Sequence, residues 1–307
     1  DVYKRQIFKE SIMKYPEFFT PFVISPSIPI RWYGLMYIVG IVVSCLVLNS
    51  IKKKGWIKYN DDNNGGVYDM VFYAAVGAIA GARLGYFVFY SPQTFLKPWE
   101  ILGINFDNGI SFSGFAGMSF HGGFIGMCIS LIIFSKKYHY KILDIGDHAT
   151  LPSSLCLFFG RIGNFMNAEL YGRVTDSFIG MQFPLYDAVG GYENWKAMFP
   201  AIRPYTEARH PSQIYEAILE GLVLALVSYF ILYLSQKNKK IRRGTRLWVW
   251  MILYGLFRAF IEQFARDITE WTIGPITSGA IYSICMVIVG VVMLIYTYSK
   301  KYDTNID

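Results

Sequence analysis

The chain has 307 residues, of which 53% are apolar and only 17% are charged. Soluble domains carry about 25% charged residues, so this composition excludes a disordered chain and argues against a soluble enzyme with a single core. The net charge of +7 favours contact with anionic lipids over nucleic acid in so apolar a chain. We therefore predict an integral membrane protein without a nucleic-acid partner.

Stretches of about 20 apolar residues, the length that crosses a bilayer, recur along the chain. We predict an all-α polytopic membrane protein with about seven transmembrane helices, six or eight being the alternatives. The predicted spans are residues 32–49, 70–90, 117–134, 142–168, 211–234, 246–264 and 278–298. Pro152 predicts a kink or tilt in the long fourth span. The four cysteines lie inside apolar runs, and we expect no disulfide, metal or cofactor.

Lys and Arg residues cluster in every second connection, after the first, third, fifth and seventh spans. Because cytoplasmic loops carry the positive excess, we predict an external N-terminus and a cytoplasmic C-terminus. The predicted organisation is an external N-terminal segment (1–30), a single transmembrane domain (31–299) and a cytoplasmic tail (300–307). The long connection of residues 172–209 lies outside in this prediction. The chain begins without Met, so whether residues 1–12 are native is left open, with Met13 as an alternative start.

Glycines spaced four apart occur in two neighbouring spans. They are Gly77, Gly81 and Gly85 in the second span, and Gly122 and Gly126 in the third. Small residues at this spacing let two helices approach closely in lipid. We interpret them as a helix-packing surface.

Charged and amide side chains interrupt the apolar spans, at a cost of roughly 2.5–3.5 kcal/mol for each charge at mid-helix. They are Arg83, Arg161, Asn164, Asn167, Glu216, Glu220, Arg258 and Glu262, while His121 enters the third span and Tyr33 opens the first. With a rise of about 1.5 Å per residue, these groups converge on the outer half of the membrane. The pattern predicts one cavity that opens toward the external face.

Arginines buried beside Asn and His are suited to binding a phosphate group. Arg161, Asn164 and Asn167 follow one another at intervals of three and share an arc of a helix. Arg258 and Glu262 are helix neighbours, for which a structural ion pair and a catalytic role are equally weighted interpretations. His121 precedes two glycines, where backbone can approach a ligand, and we favour a functional role for it.

Six sequence motifs stand out along the chain. The most specific motif is Gly160-Arg-Ile-Gly-Asn-Phe-Met-Asn-Ala-Glu-Leu-Tyr-Gly172-Arg. The others are Arg31-Trp-Tyr-Gly-Leu-Met-Tyr37, Gly81-Ala-Arg-Leu-Gly-Tyr86, Ser119-Phe-His-Gly-Gly-Phe-Ile-Gly126, Arg209-His-Pro-Ser-Gln-Ile-Tyr-Glu216 and Tyr254-Gly-Leu-Phe-Arg-Ala-Phe-Ile-Glu262. In this order the motifs resemble those of the bacterial prolipoprotein diacylglyceryl transferase family, and the resemblance covers about residues 20–298.

The resemblance implies a multi-pass enzyme of the bacterial inner membrane, in which residues 31–299 are the catalytic domain and residues 172–209 form part of a small external head segment. Such enzymes move the diacylglyceryl group of phosphatidylglycerol to the lipobox cysteine of a preprolipoprotein, forming a thioether and releasing glycerol phosphate. Carried over by position, the functional residues are Tyr33, His121, Arg161, Asn164, Glu169, Gly172, Arg258 and Glu262, with Arg83 as a further match. The family's next arginine is usually three residues after Glu262, whereas here Ala265 stands there and the arginine is Arg266. We therefore assign Arg266 no role at this point.

The implied reaction needs a thiolate and a site that stabilises the charge of the departing phosphate. We expect Arg161 and Arg258 to hold the phosphate, Asn164 to orient it and Glu262 to position Arg258. The general base is either His121 or Glu169. The main alternative function is a polytopic transporter for an anionic substrate, which predicts inverted repeats and polar groups at mid-depth.

Overall fold

The computed structural model of the chain describes residues 13–24, 30–59, 65–89, 91–93, 99, 103–105, 111–112, 117–267 and 272–299. Within these residues the protein is mainly helical. The helices are α1 (Trp32–Lys53), α2 (Val67–Phe89), α3 (Phe120–Lys137), α4 (Ile142–Met166), the short α5 (Tyr192–Ala197), α6 (Ser212–Lys237), α7 (Thr245–Phe264) and α8 (Ser278–Ser299). Each of the seven predicted spans thus corresponds to a long helix, and α4 continues through Pro152.

Three short strand pairs accompany the helices. The strands are β1 (Met13–Lys14), β2 (Ile104–Asn105), β3 (Ser111–Phe112), β4 (Met181–Gln182), β5 (Thr272–Ile273) and β6 (Ile276–Thr277). β1 pairs with β4 in parallel, whereas β2 with β3 and β5 with β6 are antiparallel. The predicted cytoplasmic tail and residues 1–12 lie outside the described residues.

Five helices in the described part of the chain, α1, α2, α6, α7 and α8, are long and apolar enough to cross a membrane. α3 and α4 are too polar to meet the same criterion. α3 contains His121 and two lysines, and α4 contains acidic residues and Arg161. Outward-facing side chains are apolar, as on α1, where Ile38, Val42 and Leu46 are 51–61% exposed. Apolar groups outside and charged groups inside are the arrangement that lipid requires. The all-α membrane class is confirmed, whereas the crossing of the membrane by α3 and α4 stays a prediction.

The chain divides into two compact units, residues 45–149 and residues 1–44 with 150–307. In the first unit, α2 packs against α3 through the predicted glycines. A Cβ atom at Gly85 would lie 2.7 Å from Gly122 Cα, and one at Gly81 would lie 2.7 Å from Gly126 Cα. The glycine spacing therefore forms the helix-packing surface that the sequence predicts.

In the other unit, glycines bring α4 close to both α1 and α6. A Cβ at Gly163 would lie 2.9 Å from Tyr33 Cα, and one at Gly221 would lie 2.6 Å from Phe158 Cα. α7 packs along α8, where Gly255 faces the Ser283 carbonyl. These close contacts fix the positions of the three helices, α4, α6 and α7, that carry most of the polar side chains of this unit.

Residues 172–209 fold over the C-terminal end of α4. Tyr15, Ala168 and Phe183 form a buried core there, and the Tyr15 hydroxyl donates to the carbonyls of Phe165 and Met166. Those carbonyls belong to the last turn of α4, which has no further helical donors. Tyr15, packed against Phe183 of this segment, therefore fixes the end of the helix that carries Arg161.

Candidate active site

Three guanidinium groups meet on the carboxylate of Glu216. Arg161 Nε lies 2.7 Å from Glu216 Oε2, while Arg266 Nη1 and Arg258 Nη1 lie 2.8 Å and 3.2 Å from Oε1. Glu216 is 1% exposed. The two arginines that the sequence singled out are therefore brought together, on a carboxylate that sequence reasoning did not include among the site residues.

Arg258 also contacts two further carboxylates. Its Nη2 lies 3.2 Å from Glu262 Oε2, and its Nη1 lies 3.6 Å from Glu220 Oε1. Arg266 Nε lies 3.5 Å from the same Glu262 oxygen. The Arg258–Glu262 pair has the predicted helix spacing, and the structure joins it to a network of three arginines and three glutamates: Arg161, Arg258, Arg266, Glu216, Glu220 and Glu262.

The local form of α6 accounts for the position of its two glutamates. The helix begins as an α-helix at Ser212–Glu216 and continues as a π-helix at Ala217–Val223. Wider turns of this kind occur mostly as short segments and often at functional sites. Glu216 and Glu220 both reach Arg258 across this change of pitch.

Arg266 reaches the network because α7 closes with a wide turn. α7 ends at Phe264, and the amides of Ala265 and Arg266 both donate to the Ile261 carbonyl, at 2.8 Å and 2.9 Å. This turn brings Arg266, which follows Glu262 by four residues, within ion-pair distance of it. Sequence reasoning left Arg266 out because it lies one position beyond the family's usual arginine, and residue spacing does not show the turn that ends α7.

Arg173 holds the end of α7 in place. Its Nε donates to the Arg266 carbonyl at 2.6 Å, and its Nη atoms donate to the carbonyls of Gln263 and Glu262 at 2.9 Å and 3.0 Å. These are the carbonyls that a helix end leaves without partners. A Cβ atom at the preceding Gly172 would collide with the Ala265 carbonyl oxygen, so only glycine fits at this predicted position.

The carboxylate of Glu169 is held by two amides of α4 and its C-terminal turn. Asn164 Nδ2 and Asn167 Nδ2 donate to Glu169 Oε1 at 2.9 Å and 3.2 Å. Two of the residues predicted to share one arc of the helix, Asn164 and Asn167, therefore bind the same carboxylate oxygen of Glu169. Tyr33 lies within electrostatic range of Glu169 and Arg161, and its hydroxyl lies 3.5 Å from that of Tyr37.

The backbone around Glu169 is strained. Ala168 and Leu170 have φ values of 55° and 58°, a left-handed conformation that side chains other than those of Asn, Asp and Gly rarely adopt. Gln213 Nε2 donates to the Glu169 carbonyl at 2.6 Å, and Ser212 Oγ donates to that of Leu170 at 3.1 Å. The start of α6 thus keeps this loop in its strained form, as functional sites often require.

His121 and Arg83 belong to the unit formed by residues 45–149. His121 lies in the first turn of α3 and is exposed, and Ser119 caps that helix by accepting the Gly122 amide at 3.2 Å. Arg83 is buried, and its Nη1 donates to the Gly117 carbonyl at 3.1 Å. Arg83 therefore supports the segment that leads into His121, and its predicted role in substrate binding stays a prediction.

An apolar groove of about 400 Å³ lies between α6 and α7. It is lined by Ile179, His210, Tyr215, Ile218, Leu219, Phe260, Ile261, Phe264 and Ala265. His210 Nδ1 lies 3.2 Å from the Tyr215 hydroxyl. Burial, together with the nearby Arg173, holds the pKa of His210 below its ordinary value, so His210 is neutral at physiological pH.

Comparison with known proteins gives one consistent family. The family model described as prolipoprotein diacylglyceryl transferase matches residues 21–296. The chain belongs to the prolipoprotein diacylglyceryl transferase family. The expectation drawn from the motifs is confirmed, the protein is a diacylglyceryl transferase, and the transporter alternative is not favoured.

Relatives from three bacteria carry the same name, phosphatidylglycerol–prolipoprotein diacylglyceryl transferase. The protein of Treponema denticola is 36% identical over 286 residues, covering 83% of this chain and 80% of the relative. That of Rickettsia akari is 36% identical, covering 85% and 90%. That of Campylobacter hominis is 37% identical, covering 86% and 85%.

Proposed function

We propose that this protein transfers the diacylglyceryl group of phosphatidylglycerol to the lipobox cysteine of preprolipoproteins. The observation that carries the proposal is the cluster of guanidinium groups on Glu216 inside a membrane protein of this family. Buried cations are costly unless anions share them, and in this site three glutamates do so: Glu216, Glu220 and Glu262. A lipid phosphate supplies a further anion for the same guanidinium groups during turnover.

Arg161 and Arg258 are the proposed phosphate ligands. Their side chains are 14% and 16% exposed, so neither is completely enclosed by its contacts with the glutamates. Arginine donates in a planar fork that matches two phosphate oxygens. Asn164 orients the lipid with Glu169, and Glu262 positions Arg258.

The proposed chemistry is an alkyl transfer. The cysteine sulfur attacks the glyceryl carbon that bears the phosphate, a carbon–sulfur bond forms, and the carbon–oxygen bond to phosphate breaks. Glycerol phosphate leaves with the bonding electron pair and one more negative charge, which the guanidinium groups stabilise. The thiol, with an ordinary pKa of about 8.5, loses its proton to a base, either His121 or Glu169.

The proposed setting is the bacterial inner membrane, with seven crossings, an external N-terminus and a cytoplasmic C-terminus. Residues 172–209 then form the external head above the site. Both substrates are held in the membrane, so they enter sideways between helices. The apolar groove between α6 and α7 suits acyl chains because its lining is almost wholly aliphatic and aromatic.

Release of glycerol phosphate from phosphatidylglycerol tests the activity. In proteoliposomes with a lipobox peptide, we expect release to require the peptide cysteine, and a Cys→Ser peptide to give none. Release with the Ser peptide would contradict thioether transfer, and lipid movement without release would favour a transporter.

Two sets of variants test which residues bind the phosphate and which residue acts as the base. We expect Arg161→Ala to lower kcat/KM by about 100-fold or more, the scale of losing a charged contact to the leaving group. Lys196→Ala, an exposed cation in residues 172–209, is the control for charge. Wild-type turnover of Arg161→Ala would overturn the phosphate assignment, and comparison of His121→Gln with Glu169→Gln identifies the base.

A further inference from the structure

Glu220 is a carboxyl group for which the proposed reaction has no use. It is 0% exposed, and within the part of the chain that the structure describes neither of its carboxylate oxygens has a hydrogen-bond partner. The nearest cation is Arg258 Nη1, 3.6 Å from Oε1. Glu216, one turn earlier on the same helix, accepts contacts from three guanidinium groups at 2.7–3.2 Å.

The groups around Glu220 come from every helix packed against it. They are Arg161 of α4, Glu216 of α6, Tyr254, Arg258 and Glu262 of α7, and Arg266 after α7. Arg258 divides its contacts among Glu216, Glu262 and Glu220, and the Glu220 contact is the longest. The cations are therefore committed mainly to the other two carboxylates.

A buried carboxylate without hydrogen bonds pays a large desolvation cost, and taking up a proton removes that cost. Glu216 avoids it through its three guanidinium contacts and stays ionised. Glu220 is fully buried, and the described residues offer its carboxylate no hydrogen-bond donor. Of the carboxyl groups in the network, Glu220 is the one that favours the neutral acid.

We propose that Glu220 holds a proton in the resting enzyme and thereby sets the charge of the phosphate site. With Glu220 neutral, three arginines face two ionised glutamates and the network carries one positive charge. That charge matches the single negative charge of a phosphodiester headgroup. With Glu220 ionised the network is neutral, and a phosphodiester would leave it with a net negative charge. Glu220 is thus a positioning residue for substrate charge, an inference that rests on the proposed function.

Infrared spectroscopy tests, without any substrate, whether Glu220 is protonated. We expect wild-type protein at pH 7 to show the carbonyl stretching band of a buried protonated carboxylic acid, and the band to fade at alkaline pH. Glu220→Gln removes the band, whereas the exposed control Glu207→Gln keeps it. If Glu220→Gln does not fold, Glu220→Asp replaces it, with a shifted band as the expected result. No band in wild type, or its persistence in Glu220→Gln, would overturn the proposal.

A binding experiment tests whether the proton on Glu220 strengthens binding of the phosphodiester headgroup. It measures the Kd of headgroup-labelled phosphatidylglycerol in micelles, without peptide. We expect the wild-type Kd to rise about tenfold from pH 7 to pH 9, the scale of losing one nearby charge. In Glu220→Gln the Kd stays constant over the same range. An equal rise in both proteins would overturn the role of Glu220. Absence of binding at every pH would instead contradict the proposed function, while the infrared result stands by itself.

Discussion

Glu216 is the residue on which the electrostatic balance of the site depends. It neutralises guanidinium groups from α4, from α7 and from the turn after α7, and it is almost completely buried. Sequence reasoning found Arg161 and Arg258 because a charge in an apolar span is conspicuous. It recorded Glu216 as a charged residue but could not pair it, since pairing depends on how helices face each other.

The first prediction concerns this shared carboxylate. Glu216→Gln removes one negative charge and leaves three buried guanidinium groups without their common partner, which costs about 3–5 kcal/mol for a buried pair. We expect a lower Tm in detergent and loss of transfer activity. Glu207→Gln, an exposed glutamate of residues 172–209, is the matched control and keeps the wild-type Tm. An unchanged Tm for Glu216→Gln would show that the guanidinium groups find other partners.

At the scale of elements, the C-terminal end of α7 shows how the site is positioned. Gly172 permits the close approach, and Arg173 binds the carbonyls of Glu262, Gln263 and Arg266. The motif that contains Gly172 and Arg173 is visible in the sequence. Its contact with a helix about 90 residues later is not, because long-range backbone contacts leave no local signal.

The second prediction separates the positioning role of Arg173 from simple stabilisation. Arg173→Ala leaves the α7 carbonyls without this donor, and we expect the Tm to fall by an amount equivalent to about 1–3 kcal/mol. Arg203→Ala is matched, because Arg203 donates to the carbonyls of Lys196 and Met198 away from the network. Both variants lower the Tm, but only Arg173→Ala lowers kcat in the glycerol phosphate assay. Equal effects on kcat would assign Arg173 a structural role alone.

At the scale of the whole molecule, the distribution of polarity is the reverse of that in a soluble protein. Glu220 and Gln213 are 0% exposed, whereas apolar side chains cover the outer faces of the long helices. A lipid environment favours this arrangement since apolar side chains face hydrocarbon without cost. Charge bias in the connections then gives the orientation prediction, with the α6–α7 connection inside and residues 172–209 outside.

The third prediction tests that orientation by cysteine labelling in intact cells. A membrane-impermeant maleimide should label Glu207→Cys directly and Lys239→Cys only after permeabilisation. The unaltered protein is the control, because its four cysteines lie within α1, α3, α4 and α8 and a polar reagent should leave them unlabelled. Labelling of Lys239→Cys in intact cells would reverse the predicted orientation.

The sequence by itself determined the membrane class, the approximate positions of seven long helices, the glycine surface between α2 and α3, and the family. These properties follow from local composition, from periodic spacing and from motifs, all of which involve residues close together in the sequence. The tertiary structure decided that Glu216 is shared and that Arg266 joins it through a wide helix-end turn. It also decided that Glu220 receives no hydrogen bond from any described residue. Those properties depend on distances between side chains far apart in sequence, which packing alone sets.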